Sequence, residues 1–343
     1  MRRAVLVAGV LLASALPAPA PAQDEAGIVY SAYRYGGRGA GSVIFTIVPG
    51  GEPVRLTGSR SFNLEPEWSP DRAQIAYVHH ARPRNPDIWV MDADGSGKVR
   101  LTSGRPDDVY PRWSPDGSHI AWVKDRRRGS ERIYVMHPDG ADKIAVSPER
   151  HRASQPAWSP DGTSIAYVHH PRCSDCPGDG EIFVVDGHSA GPAERLTDND
   201  LHDVNPVWSP DGSRIAFARG RDDGADLYTM AADGSDVRQL TSVDGYALLP
   251  RWSPDGTEIA FTVIVDVENF HTRLGVVDVE TGETRLLTDV EAGGILPDWS
   301  PDGGRIAFVG FHSGGHNLGV IGRDGTGLAQ LTDSRLDEAW LDW

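Results

Sequence analysis

Positive charge is scarce in this sequence. Thirty-three Lys and Arg face 49 Asp and Glu across 343 residues, a formal net charge of −16. That balance disfavours nucleic acid and anionic lipid headgroups, both of which are bound through basic patches. Apolar residues at 3.6-residue spacing are missing as well, which excludes helical repeats and bundles. The one long, predominantly apolar run, Ala4 to Ala15, is too short to span a bilayer and stay there. Cysteine is limited to Cys173 and Cys176. Gly (39) and Pro (25) are plentiful, a mixture that suits short strands joined by tight turns.

The first 22 residues read as a secretory signal. Arg2 and Arg3 give the positive start, Ala4 to Ala15 the apolar stretch, and Ala20-Pro21-Ala22 the small residues of a cleavage site. Cleavage there takes two positive charges and no acid from the −16, leaving −18. The expectation is a periplasmic or secreted protein beginning at Gln23, with residues 23–343 forming one domain and no membrane span.

What fills that domain is a repeat. Trp-Ser-Pro-Asp occurs at Trp68, Trp113, Trp158, Trp208, Trp252 and Trp299. Successive Trp residues lie 45, 45, 50, 44 and 47 positions apart. A period in the forties filled with strand-like segments predicts four strands per unit, the blade of a β-propeller. The first strand ends at the Trp, and Ser-Pro-Asp-Gly supplies a type I turn; Arg72 stands where the other five copies have Gly. The second strand is an Ile-Ala-aromatic run such as Ile75-Ala76-Tyr77, and the third is β-branched and aromatic, as in Ile88-Trp89-Val90-Met91. Asp-Gly turns such as Asp94-Gly95 lead to a fourth strand ending in Leu-Thr.

Pro stands two residues before each of these six Trp residues. A proline deletes a ladder hydrogen bond and belongs on an edge strand, so the first strand is the innermost, lining the central channel. The two ends of the sequence complete the count. Residues 27–57 carry second, third and fourth strands without a first, and Trp343 holds the repeat Trp position with only a first strand before it. One composite blade plus six complete ones predicts an all-β, seven-bladed propeller of four-stranded blades, closed by its own ends.

The unit Trp-Ser-Pro-Asp-Gly…Ile-Ala-Phe…Asp-Gly…Leu-Thr resembles the repeat of TolB-type propellers, a WD-like bacterial family, over essentially all of residues 27–343. The resemblance implies an exported partner-binding protein. TolB itself pairs a six-bladed propeller with an N-terminal α/β domain, and here the repeat begins almost directly after the signal. Similar repeats occur in the propellers of prolyl-oligopeptidase-like peptidases, whose separate hydrolase domain has no room in this sequence.

The turns after strands one and three are short and uniform, whereas the connections after strands two and four vary and share one face. Loops that vary over a constant scaffold are where binding resides. The candidate ligand-binding residues around the channel mouth are those one or three positions before the repeat Trp: Glu67, Tyr110, Arg112, Gln155, Asn205, Arg251, Asp298 and Trp340. They mix charge, amide and aromatic groups, as recognition of a peptide or small polar ligand requires.

Nine of the twelve histidines fall on the variable side: His79, His80, His151, His169, His170, His202, His271, His312 and His316. Cys173 and Cys176, in the long loop after the second strand of the fourth blade, have a local disulfide as their first reading in an oxidising compartment and a zinc site with His169 or His170 as the second. Asp92-Ala93-Asp94-Gly95 lacks the closing Glu of a calcium loop, and Gly95-Ser96-Gly97-Lys98 lacks the earlier Gly of a phosphate loop.

The leading expectation is a non-enzymatic binding module, without cofactor and monomeric, for a protein, peptide or envelope polymer. The alternative is a polysaccharide lyase or hydrolase with channel-mouth histidines and acids, by analogy with propeller lyases that pair such histidines with a divalent metal.

Overall fold

The computed structural model describes residues 27–34, 41–80, 86–125, 131–149, 152–170, 180–312, 315–334 and 336–343. The signal, Cys173, Cys176 and His151 lie outside the described residues.

Strand pairing among the described residues gives five four-stranded antiparallel sheets and one of eight strands. The larger sheet is two groups of four joined by a single parallel bridge, Ala225 to Tyr246. We number these seven groups as blades, the composite one first. The innermost strands of blades two to seven are Phe62–Trp68, Asp107–Trp113, Arg152–Trp158, Asp203–Trp208, Tyr246–Trp252 and Ile295–Trp299. Each touches the next, and Asp337–Asp342 touches both the last and the first of them, so the ring is closed.

In the composite blade the order is Asp337–Asp342, Ile28–Arg34, Gly41–Ile47, Val54–Arg55. Val29 faces Asp342 and Tyr33 faces Asp337. Trp343 is 7% exposed and packs with Ile28, Tyr30, Ala307, Val309 and Leu318, welding the composite blade to blade seven. The Arg305 guanidinium lies 5.1 Å from the centre of its ring.

The Ile-Ala-aromatic strands form the core. Ile75, Ala76 and Tyr77, and their counterparts Ile259, Ala260 and Phe261, are fully or almost fully buried. Every blade is covered on both faces by its neighbours, so these strands are apolar on both sides rather than alternating. The fourth strands pair over only two or three residues, for example Val99–Arg100 and Thr284–Leu286. Short outer edges give little template for pairing with another chain.

The recurring Leu-Thr has its reason just beyond the end of that short strand. The Thr hydroxyl accepts the first backbone N–H of the third strand's core: Ile44 to Thr57 at 2.8 Å, Ile88 to Thr102 at 2.9 Å, Leu227 to Thr241 at 2.9 Å and Leu318 to Thr332 at 2.9 Å. Ser147 does the same for Ile133 in blade three. The side chain thus takes over where the backbone ladder stops.

Arg72 also finds its reason. In the other Ser-Pro-Asp-Gly turns the Gly has φ near +70° and lies against the Pro of the preceding blade's turn; a β-carbon on Gly212 would meet Pro160 at 3.2 Å. The composite blade presents no such turn among the described residues. Arg72, at φ 59°, occupies that space, with its guanidinium over the Trp68 ring and a 2.8 Å bond to the Gly27 carbonyl.

Closure and capping can each be tested. Removing residues 339–343 should lower stability by at least roughly 2–3 kcal/mol, the contribution of burying one large aromatic; an unchanged melting curve would contradict the interlock. Thr102→Val keeps the shape but orphans the Ile88 N–H, and urea unfolding should report a loss of about 1–3 kcal/mol.

Candidate functional site

The innermost strand of each blade carries one extra residue. Pairing slips between Leu64 and Glu67, between Val109 and Arg112, and at the same place in the other blades. The residue three before the Trp is left-handed in all seven: Glu65, Tyr110, Gln155, Asn205, Leu249, Leu296 and Trp340 have φ between 50° and 57°. In six blades Pro follows, and without an N–H it cannot restore the ladder. In the composite blade Leu341 stands in its place and pairs with Tyr30 at once. Non-glycine residues held at positive φ carry strain that the surroundings must impose.

Two rings of side chains result. In the upper ring, three before the Trp, the side chains of Glu65, Gln155 and Asn205 reach the next blade's bulge. Glu65 Oε2 accepts from the Tyr110 N–H at 2.6 Å, Gln155 Oε1 from Asn205 at 2.7 Å, and Asn205 Oδ1 from Leu249 at 3.3 Å. Tyr110 and Trp340 flank Glu65 from the blades on either side, their ring centres 6.0 Å apart, and the Trp340 indole donates to Tyr33 Oη at 2.9 Å.

The lower ring, one before the Trp, sits near the uniform turns. Around it run Arg251, Asp298, Asp342, Glu67 and Arg112, with Ala157 and Val207 completing the circle. Its carboxylates latch the next blade's Trp N–H: Asp298 holds Trp343 at 2.9 Å, Asp342 holds Trp68 at 2.8 Å, and Glu67 holds Trp113 at 2.9 Å. Arg112 closes on Glu67 at 2.7 Å, and Arg251 stands 3.9 Å from Asp298. Burial pushes the Asp298 carboxyl up to about 7, reinforced by the neighbouring Asp342 and opposed by Arg251. Burial likewise pushes Glu65 up to about 7, against the Tyr110 N–H and Arg112.

All eight residues expected from the sequence therefore lie on these two rings, but at two depths. Tyr110, Gln155, Asn205 and Trp340 are in the upper ring; Glu67, Arg112, Arg251 and Asp298 are in the lower. Among the histidines, His170 and His202 come together, with ring centres 5.7 Å apart. The His202 Nδ1 accepts from the Gly180 N–H at 2.8 Å, and His170 Nε2 is 3.1 Å from Ser154 Oγ. Burial, then His202, pushes the His170 imidazole down to about 4, so it is neutral at neutral pH. Among the described residues no group of three or more His, Cys, Asp or Glu has its donors arranged to hold a metal ion.

Two features of the variable face were not legible as motifs. The second strand of blade six, Glu258–Asp266, has nine residues and pairs with His271–Asp278 in a hairpin. At its tip Val265, Val267 and Phe270 are 38%, 62% and 46% exposed. Asp266 Oδ1 accepts from the Glu268 and Asn269 N–H groups, which fixes the turn, and Phe270 is left-handed at φ 53°. Leu201, at the entrance to blade five, is also exposed.

A family model for the TolB beta propeller domain matches residues 13–176 and 172–264. The chain belongs to the TolB β-propeller family. Among solved structures it is similar to TolB from Acinetobacter baumannii, at 18% identity over 92% of this chain and 81% of that one, with a TM-score of 0.60. A putative TolB from Agrobacterium tumefaciens is 22% identical over 81% of this chain and 95% of that one, with a TM-score of 0.57. An oligogalacturonate lyase in complex with manganese is 17% identical over 89% and 84%, with a TM-score of 0.66. At these identities the likeness is one of fold. No curated protein matches the chain.

The upper ring makes a pH prediction. With its folded pKa raised above the ordinary value of 4.5, Glu65 contributes stability that is full below that value and lost as pH rises through about 7. Glu65→Gln keeps an acceptor for the Tyr110 N–H without a proton to lose. Relative to wild type, the variant should gain stability between about pH 5 and about pH 7.5, measured as urea midpoints at both; a constant difference would contradict the raised pKa.

Proposed function

We propose that this protein is an exported, non-enzymatic binding module that captures a protein or peptide on its variable-loop face. The single observation that carries the reading is the blade-six hairpin. A bulky aromatic at positive φ is costly, and Phe270 bears that cost while exposing its ring. Val265 and Val267 extend the apolar tip, and Asp266 and Glu268 give it an acidic margin. Such a tip fits an apolar pocket with a basic rim, in the way that buried aromatic anchors dominate protein interfaces. The upper channel ring, with Tyr110 and Trp340 around Glu65, lies on the same side of the lower ring as this face and offers the second part of the surface. Export is supported by the signal at residues 1–22 and by membership of the TolB propeller family. No helix among the described residues is long and apolar enough to cross a membrane.

A photo-cross-linking residue placed at Phe270 and, separately, at Trp340 should capture the same protein in the source cell's envelope, while one at the outer-strand Val54 should not. With that protein purified, Phe270→Asp should weaken binding by at least about tenfold, as loss of an interface anchor does, without moving the melting curve. An unchanged Kd would remove the hairpin from the site.

A further inference from the structure

The seam between blade seven and the composite blade is left open at one place, and the cause is a turn. After the third strand of blades two, three, five and seven the chain turns at Gly95, Gly140, Gly234 and Gly325, each left-handed with φ between 82° and 84°. Each of these glycines lies against a Leu at the end of the preceding blade's fourth strand. A β-carbon would come within 2.9 Å of Leu56, 3.3 Å of Leu101, 2.8 Å of Leu196 and 3.5 Å of Leu287. The composite blade turns instead through Val48-Pro49-Gly50-Gly51, closed by the Gly51 N–H on the Val48 carbonyl at 2.8 Å. There a β-carbon on Gly51 would meet only Val48, and one on Gly50 nothing within 4 Å. A cavity of about 390 Å³ remains between this turn and Leu331 of blade seven, within the size range that holds small ligands.

Its walls join apolar surface to acid. Phe45, Pro53, Leu331 and Leu336 supply the apolar part, and the Tyr30 ring stacks on Phe45 with centres 5.6 Å apart. Glu52 and Asp333 are exposed at the rim, and Glu338, 2% exposed, lies deeper. The described lining includes no Lys, Arg or His. Glu338 is fixed in place: Oε1 accepts from Ser334 Oγ at 2.9 Å, and Oε2 from the Leu318 N–H at 3.0 Å and Thr332 Oγ at 2.5 Å. Burial still raises its pKa against these donors, and Asp337 adds to the rise. A cation beside it would offset that cost. Tyr30 is an independent sign of a missing ligand. It is 2% exposed, and its hydroxyl meets no hydrogen-bond partner among the described residues; burial, then the Glu338 charge, raises its pKa with no bond contributing. A buried phenol is ordinarily bonded. The corresponding pair in blade three is satisfied internally, the Trp122 indole donating to Asp108 at 2.7 Å. Here the acid is turned to Ser334, Thr332 and Leu318, and the phenol is left over.

We propose that this cavity binds a primary ammonium group on an aliphatic stem, the stem lying along Phe45, Leu331 and Leu336 and the head turned to Glu338, Glu52 and Asp333, with the Tyr30 hydroxyl as a further acceptor. Three carboxylates without a base repel an anion, and the apolar walls disfavour a small hydrated cation. An alkylammonium matches both surfaces, as a lysine side chain does when its stem is buried and its head is not. The lysine of a bound protein and a free alkylamine carry this same chemistry. The site is separate from the blade-six hairpin and bridges the two blades whose seam closes the ring.

The test is calorimetric titration of the full chain with hexylamine, hexanol and hexanoate, which share a stem and differ in the head. Hexylamine should bind with a Kd of about 1 mM or tighter, an affinity within the reach of about seven non-hydrogen atoms. Hexanol and hexanoate should bind at least about tenfold more weakly, for want of a charge-assisted hydrogen bond. Glu338→Gln keeps an oxygen for the Leu318 N–H and removes the charge; it should weaken hexylamine by about tenfold or more. Glu52→Gln combined with Asp333→Asn, both at the exposed rim, should weaken it by about threefold and leave the melting curve in place. Hexylamine at about 10 mM should raise the melting midpoint of wild type. Nα-acetyl-lysine N-methylamide separates the sources: tighter binding than hexylamine assigns the site to a partner's lysine, and weaker binding to a free amine. Hexanol bound as tightly as hexylamine, hexylamine affinity within about twofold of wild type in Glu338→Gln and in the rim double variant, or no uptake by wild type at about 10 mM, overturns the site.

Discussion

The seam between neighbouring blades depends on one residue, the repeat tryptophan, and on two of its hydrogen bonds. Its indole N–H donates to the main-chain carbonyl one position before the preceding blade's Trp: Trp158 to Arg112 at 3.1 Å, Trp208 to Ala157 at 3.2 Å, Trp252 to Val207 at 3.2 Å and Trp299 to Arg251 at 3.0 Å. Trp68 uses the Gly27 carbonyl at 3.1 Å, whereas the buried Trp113 indole finds no acceptor among the described residues. Where the preceding blade offers an acid at that position, the Trp backbone N–H is taken as well. A large ring is thereby buried with its polar atom satisfied, the condition under which a tryptophan can sit in a core. Shape and ring closure rest on repeating this contact.

Much of that was legible beforehand because it is local and periodic. Ser-Pro-Asp-Gly declares a turn, Pro declares an edge strand, and the distance from Leu331 to Trp343 repeats that from Leu196 to Trp208. The left-handed bulge was not legible. Glu, Tyr, Gln, Asn, Leu and Trp all occupy it, so no side-chain chemistry marks the position; the conformation is imposed by the ring and by the Pro that comes after it. The Thr of Leu-Thr reads as one more strand residue, although its hydroxyl ends the strand.

Sites are less legible than folds here for the same reason. His119 and His188 are 69 positions apart, well over one repeat, and each, taken alone, is a polar residue beside a turn. Their ring contact, 4.8 Å between centres, depends on Gly187, where a β-carbon would strike the Trp158 ring. Likewise Val267 and Phe270 look like ordinary strand residues until the hairpin carries them past the ring. The channel acids read as a recognition surface, and the structure gives three of them a second role as latches between blades.

The composite blade has a mechanical consequence. Val29 lies opposite Asp342, so the two chain ends leave the ring at the same end of one antiparallel pair. Tension drawn between the termini would load the Val29–Asp342 rung first and then the others in turn, peeling the pair open instead of shearing it. A ring held by seven seams thus has one zip, and the handle of that zip lies where the polypeptide enters and leaves.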